Sequence, residues 1–398
     1  MRLKVTRDYL WLPVDMSREE KTLNIYADGK LVQEIRIRLA ADRYDFYGAW
    51  KCAAYRDKEI ELVFDEEEIL TTSPIRQEME RPGNDYPYRP KLHHTATYGW
   101  VNDPNGLVYA DGVYHLYFQH NPFDVQWENM SWGHAVSKDL LHWEQKDDVL
   151  FPDETGTMFS GSGIVNDRKM LGLPENALVF FYTAAGNNNK WSTGKQFTQR
   201  VAYSTDGGES LHKLDKGVLQ TVCKENRDPK VFWHEKSNAY IMTLWLEESD
   251  FGIFRSTDLL NWEQTDRLTF KEAWECPDLV CLKDEKGNET WMFWSADGYY
   301  FWGDFDGFKF QTDGVRHAAY INKMAYAAQT YSNTGDRVIS VLWLRLPNRG
   351  RNYTGAMGLP REFSVAYKNG EKVLRQEPVR EYENSKKLVY DSTENTFQ

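Results

Sequence analysis

At 398 residues the chain is long enough for one large or two medium domains with a sizeable core. A formal net charge of −12 disfavours nucleic acid and anionic membrane surfaces as partners, and no apolar run approaches the roughly 18–20 residues that span a bilayer. Aromatic residues reach 15%, with 15 Trp and 23 Tyr, which suits either a thick β core or platforms on which sugar rings stack.

The first residues, MRLKVTRDYLWLPVDM, lack the apolar stretch of a signal peptide. A leader removed ahead of them would make the protein secreted or periplasmic rather than cytoplasmic. LNIYADGKLVQEIRIRLA predicts a hairpin turning at Asp28-Gly29, and EIELVFD a further strand. Residues 1–82 are therefore expected to form a small β-sandwich, with Asp65-Glu66-Glu67-Glu68 as a solvated turn or strand end. Pro74, Pro82, Pro87 and Pro90 then mark a linker over 83–92.

From 93 to 380 helical periodicity is almost absent and short strands alternate with turn residues, so the expected class is all-β. GWVNDPNGLVYADGVYHLYF, residues 99–118, reads as a hairpin turning at Asp111-Gly112 with a polar knot, Asn102 to Gly106, at its mouth. The segment AVSKDLLHWEQ at 135–145 returns as FRSTDLLNWEQ at 254–264 and more loosely as AYSTDGGESLHKL at 202–214. Fainter copies are FWGDFDGFKF at 301–310 and AYKNGEKVLRQ at 366–376. An apolar run, a turn and an aromatic-rich run precede each copy. Five units, each about four strands long, predict a five-bladed β-propeller, since a sandwich would not reproduce one pattern five times. Residues 381–398 form a tail.

Alignment of the units places Asp103, Ser160, Asp228, Glu275 and Gln329 at the start of successive innermost strands, whose equivalent ends meet at one rim of a propeller. Proline closely follows three of them, in Asp103-Pro104, Asp228-Pro229 and Glu275-Cys276-Pro277, and stiffens the backbone there. Each cluster alone is explained by an ordinary turn or ion pair. Three carboxylates in register are not, because like charges gathered in a cleft repel and raise at least one pKa. Trp143 and Trp262 recur within the repeat and are expected in the core. Trp127, in a loop after Asn121-Pro122, is placed instead to meet a substrate. The polar run from Asn187 to Gly194 reads as a long surface loop at the rim. Cys52, Cys223, Cys276 and Cys281 make no CxxC pair and the nine His no ligand spacing, so neither a metal nor a cofactor is expected.

WVNDPNG, FSGSG, RDP and ECPDL, in that order, resemble the signature blocks of glycoside hydrolase family 32, the retaining β-fructosidases that include invertases, levanases and inulinases. MSWGHAVSKDLLHWE and GAMGLPREF are similar to two further blocks, and the likeness covers roughly residues 90–380. The resemblance implies a hydrolase that releases terminal β-D-fructofuranosyl units from fructan (levan or inulin) or sucrose. It implies Asp103 as nucleophile, Glu275 as general acid/base and Asp228 as transition-state stabiliser. Asn102, Gln119, Trp127, Ser160, Arg227 and Trp343 would line the fructose pocket. Retention through a covalent intermediate needs the two reacting carboxyls about 5–5.5 Å apart. Two rival readings keep the cleft: a fructosyltransferase with the same nucleophile, and a non-catalytic fructan-binding protein, against which the presence of all three acids argues.

Two departures from the family stand out. Its members usually carry a β-sandwich after the propeller, and the tail EYENSKKLVYDSTENTFQ lies where that module would begin. Without it an apolar docking face would stand open. Residues 1–82 precede the family's usual start and resemble the small β-sandwich ahead of the catalytic module in some bacterial fructan hydrolases, where it would bind sugar or brace the propeller.

Overall fold

The computed structural model describes residues 1–83 and 88–387. Pro87 of the expected linker and residues 388–398 of the expected tail lie outside the described residues. The class is all-β: among the described residues the α-helices are two short ones, Ile69–Thr72 and Arg380–Ser385.

The N-terminal region makes two sheets. One has four strands in the spatial order Arg2–Lys4, Glu59–Phe64, Lys21–Ala27 and Lys30–Ile37; the other has three, Phe46–Lys51, Tyr9–Val14 and Arg76–Glu78. Alternation drives their packing, because successive strand side chains point to opposite faces. Ile60, Leu62 and Phe64 turn inward from the first sheet and meet Leu10, Leu12 and Val14 from the second in one apolar core. The hairpin turn falls at Asp28-Gly29, both with positive φ (50° and 75°), as a two-residue connection requires.

That core does not stop at the sheets. Tyr98, Phe123 and Val125 belong to it, and Arg38 makes a two-pronged bond to Asp124, whose side chain is fully buried. Gly48 permits the approach: a Cβ there would lie 2.5 Å from the carbonyl oxygen of Pro122.

Five further sheets follow, each with four or five strands. Their leading strands are Gly99–Ala110, Thr157–Val165, Arg227–His234, Asp278–Lys283 and Ala325–Thr330. Strands pair antiparallel within each sheet, save that Tyr353–Thr354 runs parallel to Gly99-Trp100 and completes the first sheet from far along the chain. Polar groups stitch the leading strands to one another. Ser162 Oγ donates to Pro229 O (2.9 Å), and Lys230 Nζ reaches Thr330 Oγ1 (3.1 Å). Thr330 N–H donates to Asp278 Oδ2 (2.8 Å) and Ser332 N–H to Leu107 O (3.0 Å).

The repeated Ser-x-Asp-Leu-Leu-x-Trp segments are structural. In both copies the Asp side chain accepts backbone N–H groups two and three residues on, and the Trp indole donates to the carbonyl of a Leu, Leu140 or Leu259, at 3.1 Å. Trp143 and Trp262 accordingly pack against apolar cores.

Candidate active site

Four of the five leading strands break their pairing at the same place. Pairing skips Asn102-Asp103 between Val101 and Pro104, and Ser160 between Phe159 and Gly161. It skips Asp228-Pro229 between Arg227 and Lys230, and Ala327-Ala328 between Tyr326 and Gln329. A bulge leaves residues unpaired and re-aims their side chains. Gly161 makes the second bulge possible, since a Cβ there would lie 1.9 Å from the carbonyl oxygen of Phe181. In the fourth sheet Glu275 and Cys276 stand just ahead of the leading strand.

The re-aimed backbone is strained. Asp228, Glu275, Cys276 and Ala327 have φ of +65°, +48°, +42° and +51°, a left-handed conformation that costs on the order of 1–3 kcal/mol for a residue with a side chain. Hydrogen bonds hold it: Asp228 N–H donates to Thr183 Oγ1 (3.2 Å), and Ala296 N–H to the carbonyls of Trp274 and Glu275 (both 3.0 Å).

The result is a pocket of about 850 Å³ bordered by Asp103, Asp228 and Glu275, with Glu225 a fourth carboxyl in its lining. Asp103 Oδ2 accepts a hydrogen bond from Ser160 Oγ at 2.7 Å, with Cys276 Sγ 3.7 Å away. Asp228 Oδ2 accepts from the Cys276 backbone N–H (3.1 Å), and the same thiol lies 3.5 Å from it. One cysteine thus touches both aspartates. Glu275 is held at both oxygens: Arg227 grips Oε1 through Nε (3.2 Å) and Nη2, and Tyr326 OH donates to Oε2 (2.6 Å). The Arg227 guanidinium lies 4.0 Å from the centroid of the Trp245 ring, and that of Arg345 lies 3.5 Å from the centroid of Tyr326.

Burial dominates the electrostatics. It raises the Asp103 pKa against the Ser160 hydroxyl that lowers it, and Glu275 adds to the rise. Burial likewise pushes Asp228 up to about 7, with Arg227 opposing and with Glu275 and Asp103 reinforcing. Burial works against the charge of Arg227, but Asp228 and Glu275 outweigh it and raise its pKa. The Cys276 thiol is lifted well above its ordinary value by burial and then by Asp228, Asp103 and Glu275, so it stays a neutral S–H.

Asn102, Asp103, Gln119, Trp127, Ser160, Arg227, Asp228, Glu275 and Trp343 all border this pocket. Trp127 stands at its edge, 42% exposed and edge-on to Phe159. Of the polar run expected at the rim, Asn187, Asn188 and Gly194 form part of one wall, continued by Lys195, Gln196 and Phe197. Gln329 is a correction. Its amide donates to Gly161 O (3.1 Å) and it does not border the pocket. The bulge at Ala327-Ala328 shifts the fifth unit, so Tyr326 reaches the site in its place. Tyr326, Arg345 and the Cys276 thiol were not legible as site residues. The fifth unit carries neither acid nor proline to fix its alignment, and Cys276 reads as a spacer before Pro277.

A pocket floored by clustered carboxyls is the equipment of glycosidases as a class. Residues 93–378 match the family model described as Glycosyl hydrolases family 32 N-terminal domain, and the chain belongs to that family. Residues 1–79 match a Domain of unknown function (DUF4980). The levanase of Bacillus subtilis (strain 168) is 34% identical over 333 residues, 75% of this chain and 48% of that protein. The invertase of Debaryomyces hansenii is 34% identical over 316 residues, 71% of this chain and 57% of that one. The chain thus spans about half the length of these relatives. Among solved structures, the fructofuranosidase of Schwanniomyces occidentalis complexed with fructose aligns with a TM-score of 0.66 and 31% identity, covering 75% of this chain and 64% of that one. The exo-inulinase of Aspergillus awamori aligns with a TM-score of 0.66 and 28% identity, covering 75% and 68%.

Proposed function

We propose that this protein is a retaining glycoside hydrolase that removes terminal β-D-fructofuranosyl units from fructan, levan or inulin, or from sucrose. The observation that carries the reading is the Cys276 thiol shared by Asp103 and Asp228, with Glu275 its chain neighbour: three acids from three sheets in one pocket. The levanase, invertase and exo-inulinase relatives support the fructosyl unit as substrate.

In the first half-reaction a carboxylate oxygen of Asp103 bonds to the anomeric carbon while the glycosidic bond breaks, and Glu275 gives its proton to the departing oxygen. Water then attacks the same carbon, losing a proton to Glu275, and Asp103 is freed with the sugar's configuration retained. Asp228 accepts hydrogen bonds from ring hydroxyls that strengthen as positive charge develops on the sugar. Ser160 orients Asp103, and Arg227 with Tyr326 orients Glu275. Asn102, Gln119, Trp127 and Trp343 complete the walls around the fructosyl unit.

In this reading residues 93–380 are a five-bladed β-propeller with the pocket at the rim of its axis, residues 1–82 are a sandwich module and 83–92 the linker. The hydrogen bonds that join neighbouring leading strands support that arrangement. The exo-inulinase relatives described as extracellular support a secreted or periplasmic location. The test is a product profile on sucrose, inulin and levan side by side, with Asp103→Ala as control. Free fructose as the main product, absent with Asp103→Ala, supports hydrolysis. Longer oligosaccharides in excess of fructose at high sucrose would overturn it in favour of transfer, and turnover unchanged by Asp103→Ala would remove the nucleophile.

A further inference from the structure

Two loops on one side of the pocket are held from outside the five sheets, by a single strand of the N-terminal region. The strand Lys30–Ile37 is the last in its sheet. Its alternate residues Glu34 and Arg36, with Arg38 just beyond, share one face. Arg38 bonds Asp124 through Nε at 2.8 Å. The main chain of Arg36 exchanges two hydrogen bonds with the Asn129 amide, N–H to Oδ1 (2.7 Å) and Nδ2 to O (2.8 Å). Asp124 and Asn129 bracket Trp127. Glu34 Oε1 accepts the backbone N–H of Lys190 at 2.9 Å, at the tip of the loop that walls the pocket.

Glu34 is the unusual member. It is 5% exposed, and no salt bridge reaches it among the described residues. Among the described residues its one side-chain hydrogen bond is the one from the loop, so the carboxyl is committed to that contact rather than to its own sheet. The loop it holds is mostly closed on itself: Asn189 Oδ1 takes the Ser192 N–H (2.9 Å) and Asn187 Oδ1 the Gly194 N–H (3.1 Å). Its ties to residues distant along the chain, among the described residues, are Asn188 Nδ2 to Thr157 Oγ1 (2.8 Å) and Lys190 to Glu34. The pocket exceeds what one hexose fills, and this wall presents amides and an ammonium, groups suited to sugar hydroxyls, from Asn187, Asn188, Gln196 and Lys195.

We propose that Glu34 is a positioning residue: through Lys190 it fixes this wall against the sugar units beyond the terminal fructosyl group, so that the N-terminal sheets set the preference for chain length. The proposal rests on the fructan-cleaving reading above. Glu34→Ala and Glu34→Gln are compared with the parent protein by kcat and KM on sucrose and on fructans of increasing length, and by amide hydrogen exchange over residues 187–195. Glu34→Ala raises KM on long fructan about tenfold more than on sucrose, with a smaller change in kcat, and speeds exchange in the loop. Glu34→Gln, whose amide oxygen still accepts the Lys190 N–H, recovers most of both. Equal effects on short and long substrates, or unchanged exchange, overturn the proposal. If Glu34→Ala fails to fold, Lys190→Pro removes the same N–H from the loop side, and an unaltered length profile there is equally fatal. A parent protein that frees no fructose from any substrate defeats the underlying reading instead, and the exchange measurement still judges the anchor.

Discussion

A carboxyl buried beside two others binds its proton more tightly in the folded chain than in the unfolded one, and Asp228, pushed up to about 7 from an ordinary 3.8, is in that position. The stability this gives is fully present below the unfolded value and is lost as pH rises through the folded value, because the chain must then either keep a proton against the solvent or bury a charge. Asp228→Asn keeps an oxygen for the Cys276 N–H and carries no charge. It is expected to melt at a higher temperature than the parent protein, by more at pH 8 than at pH 4, while losing turnover. Thermal scans at the two pH values check this, and an equal or lower Tm at pH 8 contradicts it. On the proposed mechanism the same protonation blocks Asp228 as an acceptor for sugar hydroxyls and Asp103 as a nucleophile. The acid limb of kcat/KM therefore lies above the ordinary carboxylate range, as a pH–rate profile on sucrose would read. Tyr326→Phe leaves Glu275 Oε2 without its hydroxyl donor and is expected to lower kcat about tenfold with little change in KM.

At the scale of strands, the site is made by interruptions rather than by strands. Bulges at one recurring position turn Asp103, Ser160 and Asp228 into the pocket, and the second bulge depends on a missing side chain at Gly161. Gly161→Ala drives a methyl group into the Phe181 carbonyl, so a loss of about 1–3 kcal/mol is expected, together with a fall in activity as Ser160 and Asp103 shift. Denaturant titration alongside the activity assay checks both. The strands, their turns and the Ser-x-Asp-Leu-Leu-x-Trp repeat were legible because alternation, Asp-Gly turns and Asx bonds are local. The three acids were legible because the repeat carried each to the same point of its unit. Tyr326 was not, since its place depends on how many residues the fifth bulge skips, and Ala327-Ala328 has no side-chain signature of a bulge. Glu34 was not either: on an end strand an acidic residue reads as solvated, and only the surface docked against it makes it buried.

At the scale of the molecule, the N-terminal sheets and the rest share an interface whose apolar side chains, Tyr98, Phe123 and Val125, continue the N-terminal core. Lys30–Ile37 would otherwise be an open sheet edge, which proteins cover or charge to avoid pairing with other chains; here the Asn129 amide occupies the backbone of Arg36 as a neighbouring strand would. Arg38→Met leaves Asp124 buried without its partner and is expected to cost about 3–5 kcal/mol. Adding Asp124→Asn should recover a large part, so a double-mutant cycle by chemical denaturation gives a strongly non-additive result. Additive losses would mean that the pair is not coupled across the interface.

The parallel seam between Tyr353–Thr354 and Gly99-Trp100 has a consequence for biogenesis. More than half the chain is synthesised between its two halves, and at about 5–20 residues per second the earlier half waits on the order of tens of seconds for its mate. Throughout that interval a nascent polypeptide offers unpaired main-chain groups to any other emerging from a nearby ribosome, and contacts of such long sequence separation are also slow to close. Yield on overexpression should therefore respond to translation rate and chaperone supply more than to the thermodynamics of the finished molecule.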